Sequence, residues 1–89
     1  AGKWVAAICA APSVFGGLGF LKDKEATSYP GCLDGIPVGV YKEDPVVVDG
    51  NVVTSRGVGT AIAFALKLIE VLLSKEKAEE IAASIIYSA

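Results

Sequence analysis

The 89-residue sequence predicts an α/β layered fold that carries one β-hairpin. Three observations predict it. Short apolar runs rich in β-branched residues alternate with segments of helical periodicity, an Asp-Gly pair separates two valine runs, and no stretch repeats another.

The elements follow in order. Trp4 to Ile8 is a short continuous apolar run, which predicts a strand buried on both faces. Ala11 to Leu18 predicts a short helix, with Pro12 in the first turn, where its missing N–H is no loss. Gly16, Gly17 and Gly19 loosen its far end. Glu25 to Ser28 reads as another short strand, closed by Pro30-Gly31. Residues 30–45 hold three Pro and three Gly and read as loop, with a short strand around Val38 to Tyr41. Val46-Val47-Val48 and Val52-Val53-Thr54 flank Asp49-Gly50-Asn51, a hairpin signal because glycine accepts the positive φ such turns require. A helix from Thr60 to Leu73 has only Ala63, Lys67, Glu70 and Ser74 as a small or polar outward stripe. Its remaining residues predict burial round most of its girth, against a sheet and something else. The last helix starts at an N-cap, Ser74, and runs to about Ile86. Ala78, Ile81, Ala82, Ile85 and Ile86 form its apolar face, and the charges from Lys75 to Glu80 form a solvated one.

Composition narrows the function classes. The apolar share is 53%, and counting ten glycines in and three tyrosines out takes it to roughly 61%. Globular domains hold roughly 45–50% on that alphabet. A short chain has more surface to cover, so the excess predicts a partner that covers it. The chain opens at Ala1 and contains no Met, which points the same way, to a piece of a longer chain. With no His there is no Cys-His or Ser-His dyad inside the chain and no imidazole metal site. Two Cys make neither a disulfide scaffold nor a zinc module. Net charge is −2 and basic residues never form a run, so nucleic acid is not an expected partner. No apolar stretch approaches the ~18 residues of a membrane span, and nothing resembles a signal peptide. The expected location is cytoplasmic.

Cys9 is the candidate for chemistry. In Ala7-Ile8-Cys9-Ala10-Ala11 it follows a strand and precedes a helix, with small residues two before and two after. A nucleophile elbow needs that spacing, because larger side chains there would clash across the turn. The Ala10 N–H would then face an oxyanion formed on a substrate attacked by the sulfur. The alternative is that Cys9 is a small core residue. Cys32, beside Gly31 in the loop, is either a resolving thiol or a filler. Ser28 and Tyr29 are either a hydrogen-bonding wall over the Cys9 pocket or a satisfied strand end. Ser55-Arg56-Gly57-Val58-Gly59-Thr60 passes from strand through glycines to helix, as phosphate cradles do, but lacks their Lys. A tight strand-to-helix turn explains it equally.

Two of these segments, Ala6-Ala7-Ile8-Cys9-Ala10-Ala11-Pro12 and Thr54-Ser55-Arg56-Gly57-Val58-Gly59-Thr60-Ala61, resemble the ThiJ/PfpI family, the superfamily of the parkinsonism-associated protein deglycase. The resemblance continues through Asp49 to Val53, Phe64-Ala65-Leu66 and Lys75 to Ala78, and so covers essentially the whole chain. It implies the C-terminal half, residues 1–89, of a single flavodoxin-like α/β/α sandwich, with the N-terminal half on a separate or cleaved polypeptide and the complete domain a homodimer. It implies that Cys9 is the family's reactive elbow cysteine, poised by a glutamic acid from the absent half and readily oxidised to a sulfinic acid. Expected activities are cofactor-free conversion of small dicarbonyls such as methylglyoxal, deglycation, and a redox-sensing or chaperone role; no cofactor or metal is expected. Tyr29 stands where several relatives carry a His near the cysteine. A tyrosine hydroxyl donates a hydrogen bond but is a poor base near neutrality, which argues against peptidase chemistry. Val58 replaces the Pro usual in the Ser-Arg-Gly-Pro-Gly turn.

Overall fold

The structure, a computed structural model, describes residues 3–87. Its strands are β1 (Val5–Ile8), β2 (Glu25–Ala26), β3 (Val40–Tyr41), β4 (Val46–Asp49) and β5 (Val52–Ser55). Its helices are α1 (Pro12–Gly17), α2 (Ala61–Leu72) and α3 (Lys75–Ser84), with a single 3₁₀ turn, Val58–Thr60, leading into α2. The main sheet runs β1-β5-β4, with β1 parallel to β5 and β4 antiparallel to it. A parallel pair, β2-β3, forms a second small sheet.

The hairpin sits where the sequence puts it. Asp49 pairs with Val52, leaving Gly50-Asn51 as a two-residue turn with Gly50 at φ +59. Asp49 also reaches across to β2, its Oδ2 accepting the Glu25 N–H at 2.8 Å. Gly39 allows the second sheet to form, since a Cβ there would lie 2.8 Å from the backbone of Asp23 and Lys24.

Strand β5 is buried at all four positions and is the centre of the fold. On one face Val52 joins Leu21, Ala26 and Leu33 in a core flanked by Val5, Phe15, Ile36 and Val38. Thr54 belongs to that face by alternation, and its hydroxyl accepts the Thr27 N–H at 2.9 Å. Val53 and Ser55 point the other way, toward the layer formed by α2 and α3, which packs on β5 and β4.

Several expectations are corrected. β1 is not buried on both faces: only Ala7 is buried, because β1 lies at the edge of the sheet. The strand expected over Glu25 to Ser28 ends at Ala26, since the Thr27 and Tyr29 N–H groups leave the ladder for Thr54 Oγ1 and Cys9 O. α2 has no fully buried residue. Its Ala63, Lys67 and Glu70 do not face outward; with Ala78, Glu79 and Ala82 they line a groove of about 420 Å³ against α3. The exposed arc is instead apolar, through Ala61, Ile62, Ala65 and Leu72. α3 begins as expected, Ser74 Oγ accepting the Lys77 N–H at 3.0 Å, but stops at Ser84, leaving Ile85 and Ile86 exposed and Ile86 at φ +58.

Candidate active site

The site forms where the C-terminal ends of the parallel strands β1 and β5 meet. Cys9 directly follows β1 and adopts φ +65, a left-handed backbone that strains an L-residue by about 1–2 kcal/mol. Two hydrogen bonds hold it there. Its N–H donates to Ser55 O at 3.1 Å, and its carbonyl accepts the Tyr29 N–H at 2.8 Å. The second bond also fixes the Cys9–Ala10 peptide plane. Since that peptide is trans, the Ala10 N–H is aimed opposite to the carbonyl, away from Tyr29. It has no acceptor among the described residues. The Ala10 carbonyl is occupied by the Ser13 N–H and hydroxyl, at 3.0 and 2.6 Å.

The half-buried Cys9 opens into a cavity of about 500 Å³ lined also by Tyr29, Pro30, Arg56, Thr60 and the Gly57-Val58-Gly59 turn. Ala10 is not part of that lining, and no Asp or Glu is. The Tyr29 side chain contributes a wall and is about half exposed. Ser28 contributes no wall: it is fully buried, with its hydroxyl on Tyr29 O at 2.8 Å. Cys32 is half-buried and outside the lining, its N–H bonded to Tyr29 O at 3.0 Å.

The turn after β5 is tied onto itself through one hydroxyl. Thr60 Oγ1 accepts the Arg56 and Gly57 N–H groups at 3.2 and 3.0 Å and lies 2.7 Å from Ser55 Oγ, which in turn donates to Pro45 O at 2.6 Å. Of the two readings of this segment, the tight turn describes the Arg56 and Gly57 amides, which are not free for a phosphate. The Val58 and Gly59 N–H groups have no acceptor among the described residues, and both residues belong to the cavity lining.

Sequence reasoning missed the roles of Arg56 and Thr60. The Arg56 guanidinium donates from Nε to Ser28 O at 3.0 Å and from Nη2 to the Tyr41 hydroxyl at 2.8 Å. It thereby fastens the Tyr29 segment to the end of β5. A threonine three residues after a glycine at a strand-to-helix turn is a readable signal for such a hydroxyl. For Arg56 the sequence gives no comparable sign, because its partners lie 28 and 15 residues away.

Fold and site define an α/β protein with a cysteine at a strand-to-helix elbow. The chain belongs to the DJ-1/PfpI family, whose model matches residues 1–71. It is 48% identical to Protein dj-1beta of Drosophila melanogaster over 83 residues, covering 91% of this chain and 44% of that protein. It is 40% identical to the glutathione-independent glyoxalase DJ-1 of Schizosaccharomyces pombe over 77 residues, covering 84% of this chain and 40% of that protein. Among solved structures, oxidized Toxoplasma gondii DJ-1 superposes with a TM-score of 0.90 at 46% identity, covering 99% of this chain and 48% of that one. The fold is therefore the flavodoxin-like one of the family. The chain spans about half the length of these relatives. Among the described residues, no helix is long and apolar enough to cross a membrane.

Proposed function

We propose that the chain forms the cysteine-bearing part of a cofactor-independent glyoxalase or deglycase that acts on small dicarbonyls such as methylglyoxal. The observation that carries this reading is Cys9, held at left-handed φ by two backbone hydrogen bonds and facing a cavity that admits a small substrate. The name of the S. pombe relative supports the reaction class.

Cys9 sulfur attacks the aldehyde carbon, forming a C–S bond while the carbonyl electron pair moves to oxygen. We assign the stabilisation of that oxygen, before it takes a proton, to the Ala10 N–H, which adjoins Cys9 outside the cavity lining and has no acceptor among the described residues. The proton on the same carbon then leaves, giving an enediol, and a proton returns at the neighbouring carbon. The product is a thioester of the hydroxy acid, which water cleaves to release the acid and restore the thiol. These transfers need a carboxylate, and no Asp or Glu lines the cavity. We assign it to a complementary N-terminal segment that folds with this chain, the completed domain being a homodimer. Tyr29 lines the pocket.

In the purified native protein, Cys9→Ala should abolish methylglyoxal turnover, read as hydroxy acid formed. Turnover within tenfold of the parent would sink the proposal.

A second reading is a redox-sensing stress protein or chaperone of the same family. It is favoured by the oxidized state of the similar T. gondii structure and by the partial exposure of Cys9. Peroxide titration followed by mass detection at Cys9 separates the two. A sensor gains client binding as Cys9 takes up oxygen, whereas an enzyme only loses turnover.

A further inference from the structure

We propose that Arg56 makes the Cys9 cavity selective for carbonyl compounds bearing a carboxylate at the end remote from the reacting carbon. For the reaction class this inference rests on the dicarbonyl reading above; for the charge preference it rests on the cavity alone.

Arg56 is the only residue with a fixed charge among those lining the cavity. The walls around it, Tyr29, Pro30 and Val58, offer no carboxylate to offset that charge. Its guanidinium is already positioned. Nε is spent on Ser28 O, Nη2 reaches the Tyr41 hydroxyl, and Cζ lies 5.9 Å from the centre of the Tyr41 ring. A side chain so fastened loses little further freedom when it binds a ligand. Nη1 is the end left over. Among the described residues its one ion-pair partner is Glu43, at 4.0 Å with a side chain 80% exposed, a solvent-screened partner that a better-placed anion displaces. The Nη1 N–H groups, with the second N–H of Nη2, can still donate to a carboxylate. Val58 and Gly59, whose N–H groups have no acceptor among the described residues, belong to the same lining. A 2-oxoaldehyde with a terminal carboxylate would thus be oriented with its aldehyde toward Cys9.

The test uses two alkylating reagents of nearly equal size, iodoacetate and iodoacetamide, which differ in charge. Their rates at Cys9 in the native protein are read by peptide mass, so the result is independent of turnover. Arg56→Gln should lower the iodoacetate-to-iodoacetamide ratio about tenfold, the lower end of what a focused charge does to encounter rates. Arg56→Lys should retain most of the ratio. Tyr41→Phe removes one contact and keeps the charge, so it should leave the ratio within about twofold; a collapse there would show that positioning alone is at work and overturn the charge argument. Glu43→Gln should raise the ratio, and added salt should lower it in the parent. An unchanged ratio in Arg56→Gln overturns the proposal. If that variant does not fold, a ratio indifferent to both Glu43→Gln and salt overturns it. Loss of the dicarbonyl reading would appear separately, as methylglyoxal turnover that survives Cys9→Ala.

Discussion

Strand β5 and helix α2 are both rich in apolar residues, yet β5 is buried at every position and α2 is fully buried at none. Hydrophobicity alone does not explain the difference. β5 has a strand on each edge and a layer on each face, and its polar residues enter the core with partners: Thr54 takes the Thr27 N–H, and Ser55 donates to Pro45 O. α2 has the sheet on one side and α3 on another, while Ile62 and Leu72 remain 50% and 57% exposed. What buries a residue is the number of elements around it. The candidate site lies beside the end of β5, whose Ser55 carbonyl accepts the Cys9 N–H and helps hold the strained backbone that follows the edge strand β1.

The largest break in that arrangement should come from Thr60→Val. The isostere keeps the volume but removes the acceptor for the Arg56 and Gly57 N–H groups and the contact to Ser55 Oγ. Two half-buried donors without partners predict a loss of about 2–4 kcal/mol in denaturant unfolding. Slower alkylation of Cys9 should accompany it, since the turn forms the cavity wall. Val53→Ala comes next. Val53 is fully buried at the centre of β5, and removing two methyl groups there should cost about 2 kcal/mol, with no change in Cys9 reactivity.

The comparison also explains what the sequence could reveal. The hairpin, the Ser74 cap and the elbow at Cys9 depend on neighbours within a few residues, so Asp49-Gly50, Ser74 and the small residues around Cys9 are readable locally. The true orientation of α2 is not local. Ala63, Lys67 and Glu70 look like a solvated stripe, but α3 folds back over them, and the Lys67–Glu70 ion pair at 2.9 Å lies half-buried on the walls of that groove. Tertiary packing overrides the helical wheel there. The segment from Thr27 to Tyr29 fails for the same reason. Its backbone groups bond to Thr54, Arg56 and Cys9, residues that no pattern within the segment names.

A smaller effect separates Cys9 and Ile86, the two non-glycine residues with left-handed backbones among the described residues. Cys9 is pinned by hydrogen bonds on both sides of its peptide, whereas Ile86 is 91% exposed. Cys9→Gly should relieve the strain and raise stability by about 1 kcal/mol, less the entropy that glycine adds to the unfolded chain. The same substitution removes the thiol, so stability gained with reactivity lost would mark strain maintained for chemistry. A loss of stability instead would mean that sulfur packing, not backbone strain, dominates at the elbow.

The smallest effect expected, and the sharpest test of the contrast between β5 and α2, is Ile62→Ser. Ile62 lies on the exposed apolar arc of α2, so within the packing described here it should cost about 0.5 kcal/mol or less. The measurement is the denaturant midpoint of the native protein at several protein concentrations, beside Val53→Ala. A loss matching that of Val53→Ala would mean that the arc is core in the assembled protein and that a second surface covers α2 as completely as the sheet layers cover β5. If that surface is a separate polypeptide, the midpoint should also fall on dilution, because binding to the folded state stabilises it by mass action. A small, concentration-independent loss would leave the contrast intact, with β5 as the structural centre and α2 as a helix anchored along one side.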